Sequence, residues 1–178
     1  MKKLTTTFLF LMVISATSIF AQGRFDNERY GNTLNLGLGL GGYAGYYGYV
    51  GTIVPVFHAN YEFDVARNFT LAPFITFYTY HKDNYRETVV PMGVRGTYYF
   101  DYLLNANPKW DFYLAGSLGF ALRGTTWDNG YTGTRDDYNR GAPLFLDFHA
   151  GAEYHITDKL GVFLDLSSGV STIGLAIH

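Results

Sequence analysis

Cysteine is absent from this 178-residue chain, so no disulfide framework holds it together, and attachment of lipid to a cysteine at an export cleavage site is closed to it. Its stability has to come from strand pairing and burial. Nor does any run beyond residue 21 reach the roughly 18 consecutive apolar residues that a membrane helix requires. Basic residues give no surplus either: 13 Lys and Arg stand against 15 Asp and Glu. That argues against a nucleic-acid partner, because phosphate binding draws on excess positive charge.

What the chain has is an export signal, glycine and aromatics. Met1-Lys2-Lys3, the apolar run Phe8 to Ile14 and the small residues leading to Ala21 and Gln22 have the order of a secretory leader cut after Ala21. The expected organisation is a leader over 1–21 and one domain over 22–178, more acidic once Lys2 and Lys3 are gone. The 21 Gly, 16 Tyr and 15 Phe in an exported chain without a helical span make the composition of a membrane barrel.

The pattern that organises the domain is clearest over Pro143 to Ile156. Leu144, Leu146, Phe148, Ala150, Ala152, Tyr154 and Ile156 alternate with Phe145, Asp147, His149, Gly151, Glu153 and His155. Because strand side chains alternate between faces, this makes a ribbon about 40 Å long with one apolar and one ionisable face. Seven further segments repeat it. Leu34 to Gly41 alternates Leu with small residues; Val54 to Phe63 follows, with Pro55 expected at the strand's start because proline cannot donate to a ladder. Phe69 to His81 is ambiguous, since Phe74, Tyr78 and Tyr80 compete with Leu71, Ile75 and Phe77 for the lipid face; the second set is preferred. Val90 to Phe100, Trp110 to Arg123, Leu160 to Leu166 and Thr172 to His178 complete the set. Gly42 to Gly51 reads as a loop or an aromatic strand extension, Lys82 to Glu87 as a charged loop and Gly124 to Gly141 as a long solvated one. Short connections at 64–68, 103–108 and 157–159 fall on the opposite side.

Tyr61, Phe63, Tyr98, Phe100, Trp110, Phe112 and Tyr154 lie beside those short connections, where an interfacial aromatic girdle belongs. On the leader, the alternation, the turn asymmetry and these aromatics, residues 22–178 resemble the small eight-stranded outer-membrane barrels of the OmpX kind and of the OmpA transmembrane domain. The resemblance implies an all-β, eight-stranded antiparallel up-and-down transmembrane β-barrel in a Gram-negative outer membrane. It also implies a monomer surrounded by lipid and lipopolysaccharide and inserted by the barrel-assembly machinery. One departure is the end: such barrels close on an outward aromatic, whereas His178 falls in the phase opposite Ile173, Leu175 and Ile177. Either a further residue completes the pattern or His178 is a weaker assembly signal.

The non-lipid face carries His58, Glu62, Arg95, Asp111, Arg123, Asp147, His149, Glu153, His155 and Asp165. Eight strands leave an interior that side chains fill, so these residues are expected to form a packed polar network rather than a wide channel. No cofactor or metal is expected. His149 and His155 lie about 20 Å apart along one strand, Asp147 with His149 would need ligands from a second strand, and Asp128, Asp136 and Asp137 lack EF-hand spacing. A lipid-modifying enzyme would need a nucleophile and base in reach of each other and of the membrane. Ser117 points inward, Ser167, Ser168 and Ser171 sit at the last hairpin, and His81 lies across the barrel from them. The remaining expectation is surface contact with an extracellular ligand or host surface through the long loop, where Trp127, Tyr131, Arg135 and Tyr138 supply the aromatic and Arg character of binding hot spots. A soluble lipocalin-like barrel, with apolar residues inside and polar ones out, stays open at this level.

Overall fold

The computed structural model describes residues 30–43, 49–82, 84–133 and 144–178. Eight antiparallel strands pair each with the next, and β8 returns to β1 to close the barrel. They are β1 (Thr33–Tyr43), β2 (Tyr49–Ala66), β3 (Phe69–Lys82), β4 (Tyr85–Tyr99), β5 (Trp110–Trp127), β6 (Phe145–Thr157), β7 (Leu160–Ser167) and β8 (Val170–Ile177). One helical turn, α1 (Asp101–Leu104), lies between β4 and β5. Closure leaves no edge strand, so each strand has a neighbouring strand on both sides, as a bilayer demands.

The two faces separate cleanly. Outward stand Leu38, Phe57, Ile75, Val94, Leu118, Phe148, Leu166 and Ile173, one from each strand and all strongly exposed, while Glu62, Arg95, Asp111, Asp147, Glu153 and Asp165 are buried inside. The lipocalin-like arrangement is thereby overturned, since a soluble barrel would bury the first set and wet the second. In β3, Leu71, Ile75 and Phe77 face out and Phe74 and Tyr78 face in.

Connections at the end bearing Thr33 and Ile177, the lower end, are residues 67–68, 100–109 and 158–159; those at the upper end are 44–48, 83–84, 128–144 and 168–169. The expected asymmetry of loop length therefore fails at 83–84 and holds at 128–144, whose start is later than expected. Lys82 pairs directly with Tyr85, so the stretch read as a charged loop is a hairpin, and Gly124 to Trp127 belongs to β5. These strands continue past the apolar band, and there they need no lipid-facing residues to betray them. At the lower end β2 runs on to Ala66, with a bulge between Asp64 and Ala66 and Asn68 at a positive φ of 57°, the left-handed position that closes a short hairpin loop.

Pro55 is not at a strand start but inside β2, paired with Leu40. It is tolerated because the β2–β3 ladder begins only at Phe57 and Phe77, so the missing N–H faces no partner there. Pro73 and Pro91 open ladders further down. The β2–β3 pairing passes from Asn60↔Phe74 to Phe63↔Leu71, and the β3–β4 pairing from Ile75↔Met92 to Tyr78↔Val89, without a register shift at either skip.

Candidate functional site

The lumen is filled from end to end among the described residues, in three tiers. At the upper end an apolar cluster of Val54, Val56, Tyr78, Val89 and Ala121 packs inside the barrel, with Tyr80 and Val170 against it. Above and beside it, Arg123 pairs with Glu87 at 3.5 Å and the Tyr80 hydroxyl donates to Glu87 at 2.7 Å. Asp147 fastens the β7–β8 hairpin by accepting from Ser167 Oγ at 3.0 Å and from Ser168 Oγ.

The middle tier centres on Asp165, which is 1% exposed. Arg95 Nη2 and the Tyr113 hydroxyl donate to its Oδ2 at 2.5 and 3.0 Å, and His149 Nδ1 meets its Oδ1 at 2.7 Å. A carboxylate accepts only, so Nδ1 of His149 donates to Asp165, and Nε2 on the other side of the ring lies 2.9 Å from Ser117 Oγ. Arg95 also lies over the Tyr113 ring, 5.3 Å from its centre. The Tyr113 ring in turn crosses Gly151, where an added Cβ would fall 2.2 Å from its Cζ. His58 uses both nitrogens, with Thr76 Oγ1 at 2.9 Å and Asn60 Nδ2 at 3.1 Å.

The sequence places Ser117 on the inner face but does not reveal that it joins His149 and Asp165 in the order of a Ser-His-Asp triad. The signal for it is the β5–β6 register, which sets Ser117 opposite Asp147 and Ala115 opposite His149; alternation fixes faces, not register. Two features set this chain of bonds apart from a working triad. Ser117 is buried, and the cavity beside it, lined also by His58, Pro91 and Arg95, has a volume of about 40 Å³, room for a few waters and not for an acyl chain. Asp165 is also already neutralised by Arg95.

The lower tier is carboxylate-rich. Glu62 accepts from Asn35 Nδ2 at 2.8 Å, the Tyr99 hydroxyl at 2.9 Å and Thr70 Oγ1. Tyr30 stacks on Tyr99 with ring centres 4.0 Å apart and donates to Asp101 at 3.0 Å, so the segment before β1 caps the lumen. Asp111 meets His155 Nε2 at 2.7 Å, Glu153 meets His178 Nε2 at 2.8 Å, and Thr33 Oγ1 meets His178 Nδ1 at 3.0 Å. The hydrogen bond to Glu153 holds the His178 imidazole above its ordinary pKa of 6.5.

All ten residues singled out on the non-lipid strand face thus project into the lumen, but they fall into separate groups. His149 and His155 are indeed apart, each bound to a different aspartate. His178, which the sequence presents only as a chain end, joins the lower group. Of the loop residues, Trp127 closes β5 and stacks on Tyr131 with ring centres 5.0 Å apart, while Tyr85 tilts against it at 5.3 Å; Arg135 and Tyr138 lie outside the described residues. His81 pairs with Asp128 at 3.3 Å. Outside the barrel, the lower-end aromatics form two clusters, Trp110 with Phe112 and Tyr154, and Tyr61 with Phe63.

No family model matches the chain, and no curated protein matches it. Solved structures do. Neisserial surface protein A (NspA) is 14% identical, with a TM-score of 0.60 over 82% of this chain and 95% of that one. Ail, the attachment invasion locus protein of Yersinia pestis, solved in complex with the heparin analogue sucrose octasulfate, is 7% identical with a TM-score of 0.51 over 82% and 95%. At such identities the likeness is one of architecture, and the architecture it shares with this closed, outwardly apolar eight-stranded chain is that of the small outer-membrane β-barrels.

Proposed function

We propose that this chain is an exported outer-membrane protein, with residues 1–21 as cleaved leader and 22–178 as a monomeric barrel inserted by the assembly machinery, whose role is structural and surface contact rather than transport or catalysis. The observation that carries this reading is the pairing of a continuous apolar exterior with a lumen sealed by side chains. Such a molecule has only its ends to offer a partner. The upper end offers the Tyr85–Trp127–Tyr131 aromatic ledge, flanked by His81 and Asp128, and aromatics at a rim above lipid favour contact with an extracellular ligand or host surface. Ail's complex with a heparin analogue supports the idea that a barrel of this fold serves contact.

Fractionation tests the first part: the protein should enter the outer-membrane fraction and run faster on gels unboiled than boiled, whereas release into the periplasm would overturn the reading. For contact, a Trp127→Ala, Tyr131→Ala double variant should keep that heat-modifiable band while whole-cell adhesion to matrix-coated plates falls. A hydrolase is the second reading, favoured by the Ser117–His149–Asp165 chain alone. A fluorophosphonate probe should leave the folded protein unlabelled and expression should leave the acyl pattern of lipid A unchanged; labelling lost in Ser117→Ala would reverse that judgement.

A further inference from the structure

The lower tier of the lumen concentrates buried carboxylates. Glu62, Asp101, Asp111 and Glu153 are all buried at one end of the barrel. Asp165 has Arg95 and Glu87 has Arg123, but the ion pairs of Asp111 and Glu153 among the described residues are with histidines only: His155 for Asp111, His178 and His155 for Glu153. Buried carboxylates without a permanent cation are costly unless something positive joins them.

The backbone has brought the ligands together in a specific way. Asp111 of β5 is the register partner of Glu153 of β6, and His155 stands two residues on along the same face. His178 comes from beyond β8, on the far side of β7. It reaches Glu153 because β7 presents Gly161 between His155 and Ala176; a Cβ there would fall 2.0 Å from Glu153 Oε1. One donor atom from each of Glu153, His155 and His178 lies within 4.8 Å of the others, and the two imidazole rings are 4.9 Å apart between centres. Asp111 Oδ2, at 2.7 Å from His155 Nε2, adds a second carboxylate at the edge of the group. Ligand atoms about 2.0–2.2 Å from a tetrahedral ion sit roughly 3.4 Å from each other, so side-chain rotation of about an ångström converts these contacts into coordination.

We propose that Glu153, His155 and His178, with Asp111 as fourth ligand or as the hydrogen-bond partner orienting His155, bind one divalent transition-metal ion of the zinc class at the lower mouth of the lumen. Two imidazoles with one or two carboxylates suit zinc and its neighbours, and are poor for calcium or magnesium, which take oxygen ligands in larger number. Bound there, the ion neutralises the carboxylate tier and ties the closing strand β8 to β6 across β7. The site lies within the barrel's own lower mouth and is independent of any contact made at the upper end.

The test is calorimetric titration of refolded, untagged, chelator-treated protein in detergent with Zn²⁺, and separately with Ca²⁺ and Mg²⁺. Zn²⁺ should bind saturably with one equivalent, Ca²⁺ and Mg²⁺ should not, and Glu153→Gln and His155→Gln should each weaken Zn²⁺ binding at least tenfold. His81→Gln, at the opposite end, should bind like the wild type. Absence of saturable Zn²⁺ binding, or binding that survives Glu153→Gln and His155→Gln, or binding lost in His81→Gln, overturns the proposal. Should a lumen variant fail the gel-mobility test of folding, Co²⁺ on the wild-type protein decides: visible d–d absorption with nitrogen and oxygen ligation that Zn²⁺ displaces one-for-one is expected, and a spectrum of hydrated Co²⁺ counts against the site.

Discussion

At Asp165, three donors converge on a carboxylate that is 1% exposed, and the arrangement decides which substitution hurts. Replacing Arg95 by Met removes from Asp165 the permanent positive charge paired with it and leaves an anion buried, which should cost about 3–5 kcal/mol in urea unfolding from detergent micelles. Adding Asp165→Asn to it should recover part of the loss, since the orphaned charge goes too. A double variant no more stable than Arg95→Met would mean that Asp165 gains little from its charge. A second residue-scale expectation concerns His178, whose bond to Glu153 at 2.8 Å favours the imidazolium. In chelator-treated protein its NMR titration should lie above 6.5, and Glu153→Gln should bring it down. Stability from this pair is then present below pH 6.5 and fades as pH rises through the folded-state pKa; a His178 that titrates below the ordinary value would refute the pairing.

Among the strands, β3 carries the sharpest contrast between what sequence and structure disclose. Aromatics occupy both of its phases, so hydrophobicity alone cannot choose between them, yet Ile75 stands outward at 48% exposure and Phe74 inward at 8%. Arg in place of Ile75 should therefore cost about 2–4 kcal/mol at mid-bilayer depth, and Arg in place of Thr79, on the same face toward the upper end, much less; equal costs would mean the strand's depth is misplaced. Outside β3, alternation made the faces of the strands and the inward set from His58 to Asp165 legible, because lipid permits no charge on its side. It did not make register legible, which is why the Ser117–His149 and Glu153–His178 meetings escaped it: the first depends on how far β5 slides past β6, where a long connection leaves no short turn to fix the register, and the second joins β6 to the residue beyond β8 across an intervening strand. Strand length was illegible where strands rise past the apolar band, as at Lys82 and Tyr85. Prolines misled for a related reason, since Pro55 avoids a lost hydrogen bond through a one-sided stretch of ladder that only the assembled sheet reveals.

The molecule as a whole behaves as a stoppered cylinder. Eight strands enclose an interior that side chains just fill, and here the filling changes character along the axis: an apolar plug of Val54, Val56, Tyr78, Val89 and Ala121 at the top, the Arg95–Asp165 knot in the middle, and the Tyr30–Tyr99 stack with its carboxylates at the base. An ion entering from above would pass the Arg123–Glu87 pair and then meet a cluster whose aliphatic side chains offer nothing in exchange for its hydration shell, with Val56 and Val89 each only 1% exposed. Below them Arg95, Asp165, Tyr113, His149 and Glu62 are bound into hydrogen-bonded groups. Purified protein in a planar bilayer should accordingly show no stable unit conductance, and proteoliposomes should not swell in small sugars. Val56→Gly together with Val89→Gly thins the plug without touching the Arg95 tier, so it too should stay closed and lose stability instead. A discrete, reproducible channel in the wild type would show that the plug opens in the membrane, while a channel confined to the double glycine variant would place the whole seal at the apolar tier and leave the polar knot below it permeable.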